Sequence, residues 1–229
     1  MFPFMFDPTF VLLIPALVLA IWAQTKVRST YQKYSQVRNR ANLTGAQVAR
    51  RILDSQGLSD VKVESIEGEL TDHYDPRKRV VRLSQGVYNS PSLAALGVAA
   101  HETGHALQHK FQYAPMSVRA GLVPVAQFGS TLAIPLFFIG LFIPSISWMM
   151  DLGILFFAGA VLFHLVTLPV EFNATARAVK ILTGGGYLAP DETNGAQRVL
   201  RAAAWTYVAA ATMALLQLIR LILIRGSRD

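Results

Sequence analysis

Apolar and polar positions along this chain fall into long blocks, not into a fine alternation. Four apolar blocks stand out, at 8–23, 122–143, 148–170 and 202–224, and the last three are each near the ~20 residues that a helix needs to cross hydrocarbon. The first block has no basic residue before it, and Trp22-Ala23-Gln24 is a poor cleavage site. It therefore reads as an uncleaved anchor and not as a signal peptide. Pro124, Pro135 and Pro169 interrupt the blocks, which membrane helices tolerate better than soluble ones. Trp22, Trp148 and Trp205 fall near block ends, where an interfacial aromatic belt belongs. The pattern predicts a mainly α membrane protein with about four transmembrane helices.

Finer periodicities occupy the polar stretch 24–121. Thr44 and Gln47 have the spacing of a capping box, and Ala46, Ala49, Ile52 and Leu53 recur at helical intervals up to Gly57. Residues 61–63 and 79–83 read as short strands, and Asp75-Pro76-Arg77-Lys78 supplies the turn between 69–74 and the second of them. Ser90 and Pro91 read as the N-cap and first turn of another helix, with Leu93, Leu96, Ala100 and Leu107 on its apolar face. A small α/β portion between the first two spans is the expectation.

Composition agrees with the pattern and adds a side. Hydrophobic residues make up 52% and charged ones 15%, against the ~25% charged of an ordinary soluble domain. A length of 229 residues suits a single integral-membrane domain over the whole of 1–229. Cysteine is absent, so any metal must be held by His, Asp or Glu. The net charge of +7 has a location: 14 of the 21 Lys and Arg lie within 24–121, and five of those fall in 26–40 with no acid among them. A basic run directly after an apolar block marks the cytoplasmic side of a membrane in preference to a nucleic-acid partner. Segments 24–121 and 171–201 are thus expected to face the cytoplasm. Arg225 and Arg228 resist this, because a fourth span leaving the cytoplasm carries them outside, with Arg220 close behind.

The candidate chemistry lies in "AAHETGHALQHK", residues 99–110. On a helix His101 and His105 are one turn apart and project from one face, so two imidazoles can meet one ion. Glu102 lies about 100° round, within reach of a water on that ion without being a ligand. Zinc with three protein ligands and an open position lowers the pKa of its water toward ~7 and polarises a carbonyl. A carboxylate can take that water's proton and deliver it to a leaving amine, which is the chemistry of amide hydrolysis. A surface helix that merely carries histidines is the bland alternative. Against it, three of the chain's five histidines cluster here on a largely apolar helix, where ionisable groups need partners.

Two sources of a third ligand are open. His109 is eight residues beyond His101, about 80° round and ~12 Å along, so it meets the same ion only if the helix breaks. The other source is a carboxylate from a second helix, and beyond residue 110 there are five acids: Asp151, Glu171, Asp191, Glu192 and Asp229. Asp151 belongs to the outer side, and Asp191 and Glu192 read as the acidic start of a helix after Pro190. Glu171 stands alone at the cytoplasmic end of the third span, where an ionisable residue needs a reason. The hairpin of the second and third spans returns the chain to the side of His101.

With these residues in view, the chain resembles the YugP-like neutral zinc metallopeptidases of bacterial membranes. The resemblance runs through "LTGAQVARRILDSQGL", "DHYDPRKRVVRLS", "AAHETGHALQH", "VEFNATARAVKIL" and "RAAAWTYVAAATMALLQLIRLILI", with "HETGH" and "VEFNA" its specific parts. The family is similar in layout to the HtpX and CAAX-prenyl membrane metalloproteases. The resemblance implies a zincin-like peptidase of the gluzincin type with one zinc per chain, His101, His105 and Glu171 as ligands and Glu102 as the base. It also implies a bacterial plasma-membrane location and a protein or peptide substrate, membrane-associated and met at the cytoplasmic surface. In the wider group an aspartate follows the glutamate ligand by four residues and supports a ligand histidine; here Thr175 stands there.

Lesser candidates remain. His73, with Tyr74, could supply an oxyanion donor or a second metal ligand, and Arg177 could stabilise an oxyanion. His164 inside the third span reads as a packing residue. By analogy with zincins, 79–83 is a candidate edge strand for an extended substrate. An intramembrane protease is disfavoured, since only eight residues, 93–100, precede His101 and the polar "GHALQHK" follows. A zinc-binding adaptor or regulator without hydrolysis is the rival class, and it has no need of Glu102.

Overall fold

The computed structural model describes residues 8–227. A 3₁₀ turn at Pro8–Leu13 leads into α1 (Ile14–Ser35), followed by α2 (Gly45–Ser55), β1 (Lys62–Ile66), β2 (His73–Asp75), β3 (Val80–Ser84), α3 (Gln85–Tyr88), α4 (Leu93–Lys110), α5 (Ala114–Phe142), α6 (Trp148–Gly184) and α7 (Pro190–Gly226). Four helical stretches are long and apolar enough to cross a membrane: Pro8–Ser35, Ala114–Phe142, Trp148–Gly184 and Pro190–Gly226. This is a mainly α membrane protein with a small α/β part. The helices outrun their apolar blocks because their polar ends continue to bury small residues. On α6, for example, Ala174, Ala178 and Leu182 are buried beyond the apolar block. Pro124, Pro135 and Pro169 all lie inside helices without ending them.

The chain divides into two compact units. The first comprises the described parts of Met1–Ala23, Ala114–Pro169 and Thr206–Asp229. Phe137, Leu141, Met150 and Leu221 form its core, while Phe128, Phe142, Leu155 and Leu162 are exposed, as lipid-facing side chains are. Arg225 Nε donates to Asp151 Oδ1 at 3.0 Å, and a terminal nitrogen reaches Oδ2 at 3.4 Å. The buried Arg220 donates to Thr9 Oγ1 at 3.3 Å and lies over the Phe10 ring. Arg220 and Arg225, two of the three basic residues that sit against the charge pattern, therefore have partners, and Arg228 lies outside the described residues.

The second unit comprises Gln24–Tyr113 and Val170–Trp205. The capping box forms as expected: Thr44 Oγ1 accepts from Gln47 N–H and Gln47 Oε1 accepts from Thr44 N–H. Asp75 Oδ1 takes the N–H groups of Arg77 and Lys78 and closes the β2–β3 turn. The sheet order is β1-β3-β2, with β1 parallel and β2 antiparallel to β3. The strand at 79–83 is therefore central, not an edge. Its Val80, Val81 and Leu83 are all buried, the mark of a strand covered on both faces, and β1 and β2 are the outer strands.

The α4 helix begins two residues later than Ser90 and Pro91 suggest. Ser92 is the N-cap and accepts from Ala95 N–H, because residues 90–92 run extended beside the 37–39 segment. There Arg38 bridges to Ser92, Asn39 N–H donates to the Pro91 carbonyl and Leu93 N–H to that of Val37. The α4 helix then lies between two cores. One joins Ala49, Leu53, Val81, Leu83, Ala95 and Ala99; the other joins Val48, Ile52, Leu96, Ala100, Ala178 and Leu182. Each such Leu or Ile contributes about 1.5–3 kcal/mol through burial, so α4 is rigidly seated before any metal is considered.

Candidate metal centre

The α4 helix crosses α6 at Gly104, where an added Cβ would stand 2.8 Å from the Ala174 carbonyl oxygen. The glycine of HETGH thus lets two backbones approach. On either side of that contact, His101 Nε2 lies 3.1 Å and His105 Nε2 3.6 Å from the same oxygen, Oε2 of Glu171. One ligand atom from each of the three residues falls within 4.8 Å of the others. Two ligand atoms on a tetrahedral zinc, each at ~2.0–2.1 Å, stand roughly 3.3 Å apart, so the trio fits such an ion. Two imidazoles and one carboxylate, with no thiolate, are also the donor set of a hydrolytic zinc site.

Each histidine is held by its other nitrogen. His105 Nδ1–H donates to Gln108 Oε1 at 2.9 Å, which leaves Nε2 bare for a metal. Gln108 is itself fully buried, and its amide donates to the Val170 carbonyl at 2.7 Å and to Asn173 Oδ1 at 3.1 Å. Thr175 Oγ1 lies 3.3 Å from His101 Nδ1, so the residue expected to stand behind this imidazole does so, with a neutral hydroxyl. Burial opposes a charge on His105, but the neighbouring Glu171 carboxylate, aided by the charge of Glu102, prevails and holds the imidazole above the usual histidine range.

Glu102 is mostly buried and is not one of the three converging groups, which suits a base beside the ion and not on it. Facing it is Asp72, whose carboxylate accepts from Ser84 N–H at 2.8 Å and from Ser84 Oγ–H at 3.1 and 3.2 Å. Burial raises the Asp72 pKa above the usual carboxylate range; the Ser84 N–H opposes the shift and the charge of Glu102 adds to it.

The remaining candidates lie elsewhere. His109 Nδ1 is 2.9 Å from the Tyr74 hydroxyl and ties the end of α4 to β2, whereas Glu171 is the carboxylate that meets His101 and His105. His73 contacts the Thr71 carbonyl at 2.8 Å and a terminal nitrogen of Arg82 at 3.4 Å, and neither partner belongs to the trio. Arg177 Nε donates to Asn173 Oδ1 at 2.7 Å and its guanidinium lies over the Phe111 ring. Sequence reasoning passed over Gln108 and Asn173. The available signal was a buried amide three residues after a ligand histidine on an apolar helix.

A family described as "Putative neutral zinc metallopeptidase" matches residues 9–226. The chain is 50% identical over 213 residues to a Bacillus subtilis (strain 168) protein named "Putative membrane protease YugP", covering 93% of this chain and 94% of that protein. No solved structure matches the chain.

Proposed function

The chain belongs to the neutral zinc metallopeptidase family, and from that premise we propose that it is a membrane-embedded zinc endopeptidase acting at the cytoplasmic surface. The observation that carries the reading is the convergence of His101 Nε2 and His105 Nε2 on Glu171 Oε2, with Glu102 beside them and outside the ligand set. The three ligands would hold one zinc per chain, which supplies a Lewis acid that activates water and polarises a peptide carbonyl. Gln108 and Thr175 fix the orientation of the two imidazoles. Glu102 takes the proton of the attacking water and returns it to the departing amine nitrogen. The outer strand β2, packed against α4 through the Tyr74–His109 contact, offers its free edge to an extended substrate backbone. This edge replaces 79–83 in that role.

Cytoplasmic placement is supported by the basic 24–121 and 171–201 segments. It is further supported by the Arg225–Asp151 pair, which sets both residues at one end of the spanning unit and neutralises the arginine that the charge rule disfavours there. The protein or peptide substrate is then one presented at the membrane.

Replacing Glu102 by Gln tests the hydrolytic reading. The side chain keeps its size and helix propensity, and the three ligands are untouched. Zinc content should remain that of the wild type while peptide cleavage falls by roughly three or more orders of magnitude, as when a general base is lost. If Glu102→Gln keeps both its zinc and the wild type's full biological effect, the protein is a zinc-binding adaptor and the peptidase proposal fails.

A further inference from the structure

A cavity of about 600 Å³ lies in the second unit, lined among others by Leu107, Phe111, Arg177, Lys180, Ile181 and Tyr187. It does not belong to the zinc face. Leu107 is two residues past His105, about 200° round α4, and Phe111 lies about 120° from His105 in the other sense. The lining holds two cations and two aromatic rings, and none of its described residues is acidic. Arg177 is already oriented: Nε is committed to Asn173 Oδ1 at 2.7 Å, and the guanidinium rests 5.6 Å from the Phe111 ring centre. Its terminal nitrogens form the fork that matches two phosphate oxygens. Lys180, exposed and one turn further along α6, brings a second positive charge to the same cavity.

Chain continuity says which anion is at hand. The apolar block of α6 ends at residue 170, and Arg177 follows seven residues later, about 10 Å along the same helix. The polar layer of a bilayer is roughly 5–8 Å deep on each side, and the long stems of Arg and Lys reach back toward it. Phe111, more than half exposed, precedes by three residues the first residue of the span-length helix Ala114–Phe142. A phosphate carried on an apolar tail suits these walls; a free polyanion would leave Phe111 and Tyr187 unused.

We propose that this cavity is a headgroup site for an acidic phospholipid, its phosphate held by Arg177 and Lys180 and its glycerol and upper acyl carbons resting on Phe111 and Tyr187. The site is distinct from the His101–His105–Glu171 cluster. It is linked to the metal centre all the same, because the Asn173 oxygen that takes Arg177 Nε also takes the Gln108 amide that orients His105.

The test uses the full chain in neutral detergent, titrated with phosphatidylglycerol or phosphatidylcholine and read by native mass spectrometry. Phosphatidylglycerol should bind about tenfold or more tightly than phosphatidylcholine, and inorganic phosphate at equal concentration should not displace it. Each cation at a membrane surface is worth about fivefold, so Arg177→Gln with Lys180→Gln should weaken phosphatidylglycerol on the order of thirtyfold. The control pair Lys26→Gln with Arg28→Gln, exposed on α1, should change it less than about twofold. Should the first pair fail to fold, the exposed Lys180→Glu alone carries the test, with a loss above about fivefold expected. Equal losses in both pairs, equal binding of the two lipids, or displacement by inorganic phosphate would each overturn the proposal.

Discussion

Replacing Gln108 by Ala isolates what holds the imidazole of His105, a proposed zinc ligand, in place. The wild-type amide accepts from His105 Nδ1–H at 2.9 Å and donates to the Val170 carbonyl and Asn173 Oδ1. Of these three partners, Val170 keeps its carbonyl in the α6 ladder and Asn173 keeps the hydrogen bond from Arg177. His105 Nδ1–H is the group left without a partner, in a fully buried position, at a cost of about 1–3 kcal/mol. The ring can recover that energy by turning or by changing tautomer, and either response removes Nε2 from the ion. Zinc affinity should accordingly fall by about 10–100-fold, the usual effect of losing an outer-shell partner of a metal-bound histidine.

The assay is competition with a calibrated chelator on purified protein, with thermal unfolding followed on the same preparation. Thr103→Val is the control. Thr103 is fully buried in the same helix, but its hydroxyl donates only to the Ala100 carbonyl at 2.8 Å and touches no ligand. Its loss should cost about 1 kcal/mol of stability and leave zinc affinity alone. The reasoning is refuted if Gln108→Ala binds zinc within about twofold of wild type, or if Thr103→Val weakens zinc equally.

Further expectations follow from the same contacts. Gly104→Ala should push α6 off α4, because its Cβ would meet Ala174 O at 2.8 Å; elemental analysis should find zinc depleted while Gly121→Ala, with open space around it, retains it. Asp72→Asn should gain stability relative to wild type as pH rises. A carboxyl whose folded pKa is raised contributes most below the unfolded value and loses that contribution as pH climbs through the folded one, whereas Asn does not titrate. Thermal unfolding between about pH 4 and 7 checks the sign, and a flat difference contradicts it. Single cysteines at Ser55, Ser147 and Thr193, introduced into a chain without any, should show only Ser147→Cys labelled by an impermeant reagent from outside. Outside labelling at Ser55→Cys or Thr193→Cys reverses the proposed orientation.

What could be read from residue order alone divides along physical lines. The spans, the capping box at Thr44 and the pairing of His101 with His105 are local facts of length and periodicity, and they survive in the fold. Glu171 was legible for a different reason: a lone acid at the end of an apolar block needs a partner, and the hairpin before it limits where that partner can be. The strand at 79–83 was misplaced as an edge because period-two reasoning reports which faces are apolar and not what lies beside the strand. Ser90 lost the N-cap to Ser92 for a similar reason, since the choice between two nearby serines was made by a bridge to Arg38, more than fifty residues earlier. Gln108 was passed over because its value rests on Val170 and Asn173, which spacing within α4 does not show.

The division of labour between chain segments constrains how the centre forms. His101, Glu102, His105 and Gln108 all lie on α4, and Asp72 is supplied by the loop before β2. Glu171, the Val170 carbonyl, Asn173 and Thr175 lie on α6, after the span-length helix α5 and the apolar block of α6 itself. Half of the ligand cage thus reaches the other half only once that hairpin is made. Before then α4 presents two imidazoles without their carboxylate, and afterwards Glu171, with its side chain 5% exposed, would be a buried charge but for the two histidines. On the proposed reading, zinc binding would be coupled to completion of this hairpin, because the ion would stabilise only the state in which α4 and α6 are in contact. A fragment ending near residue 113 keeps the HETGH motif and lacks Glu171, Asn173 and Thr175, which complete the proposed metal centre.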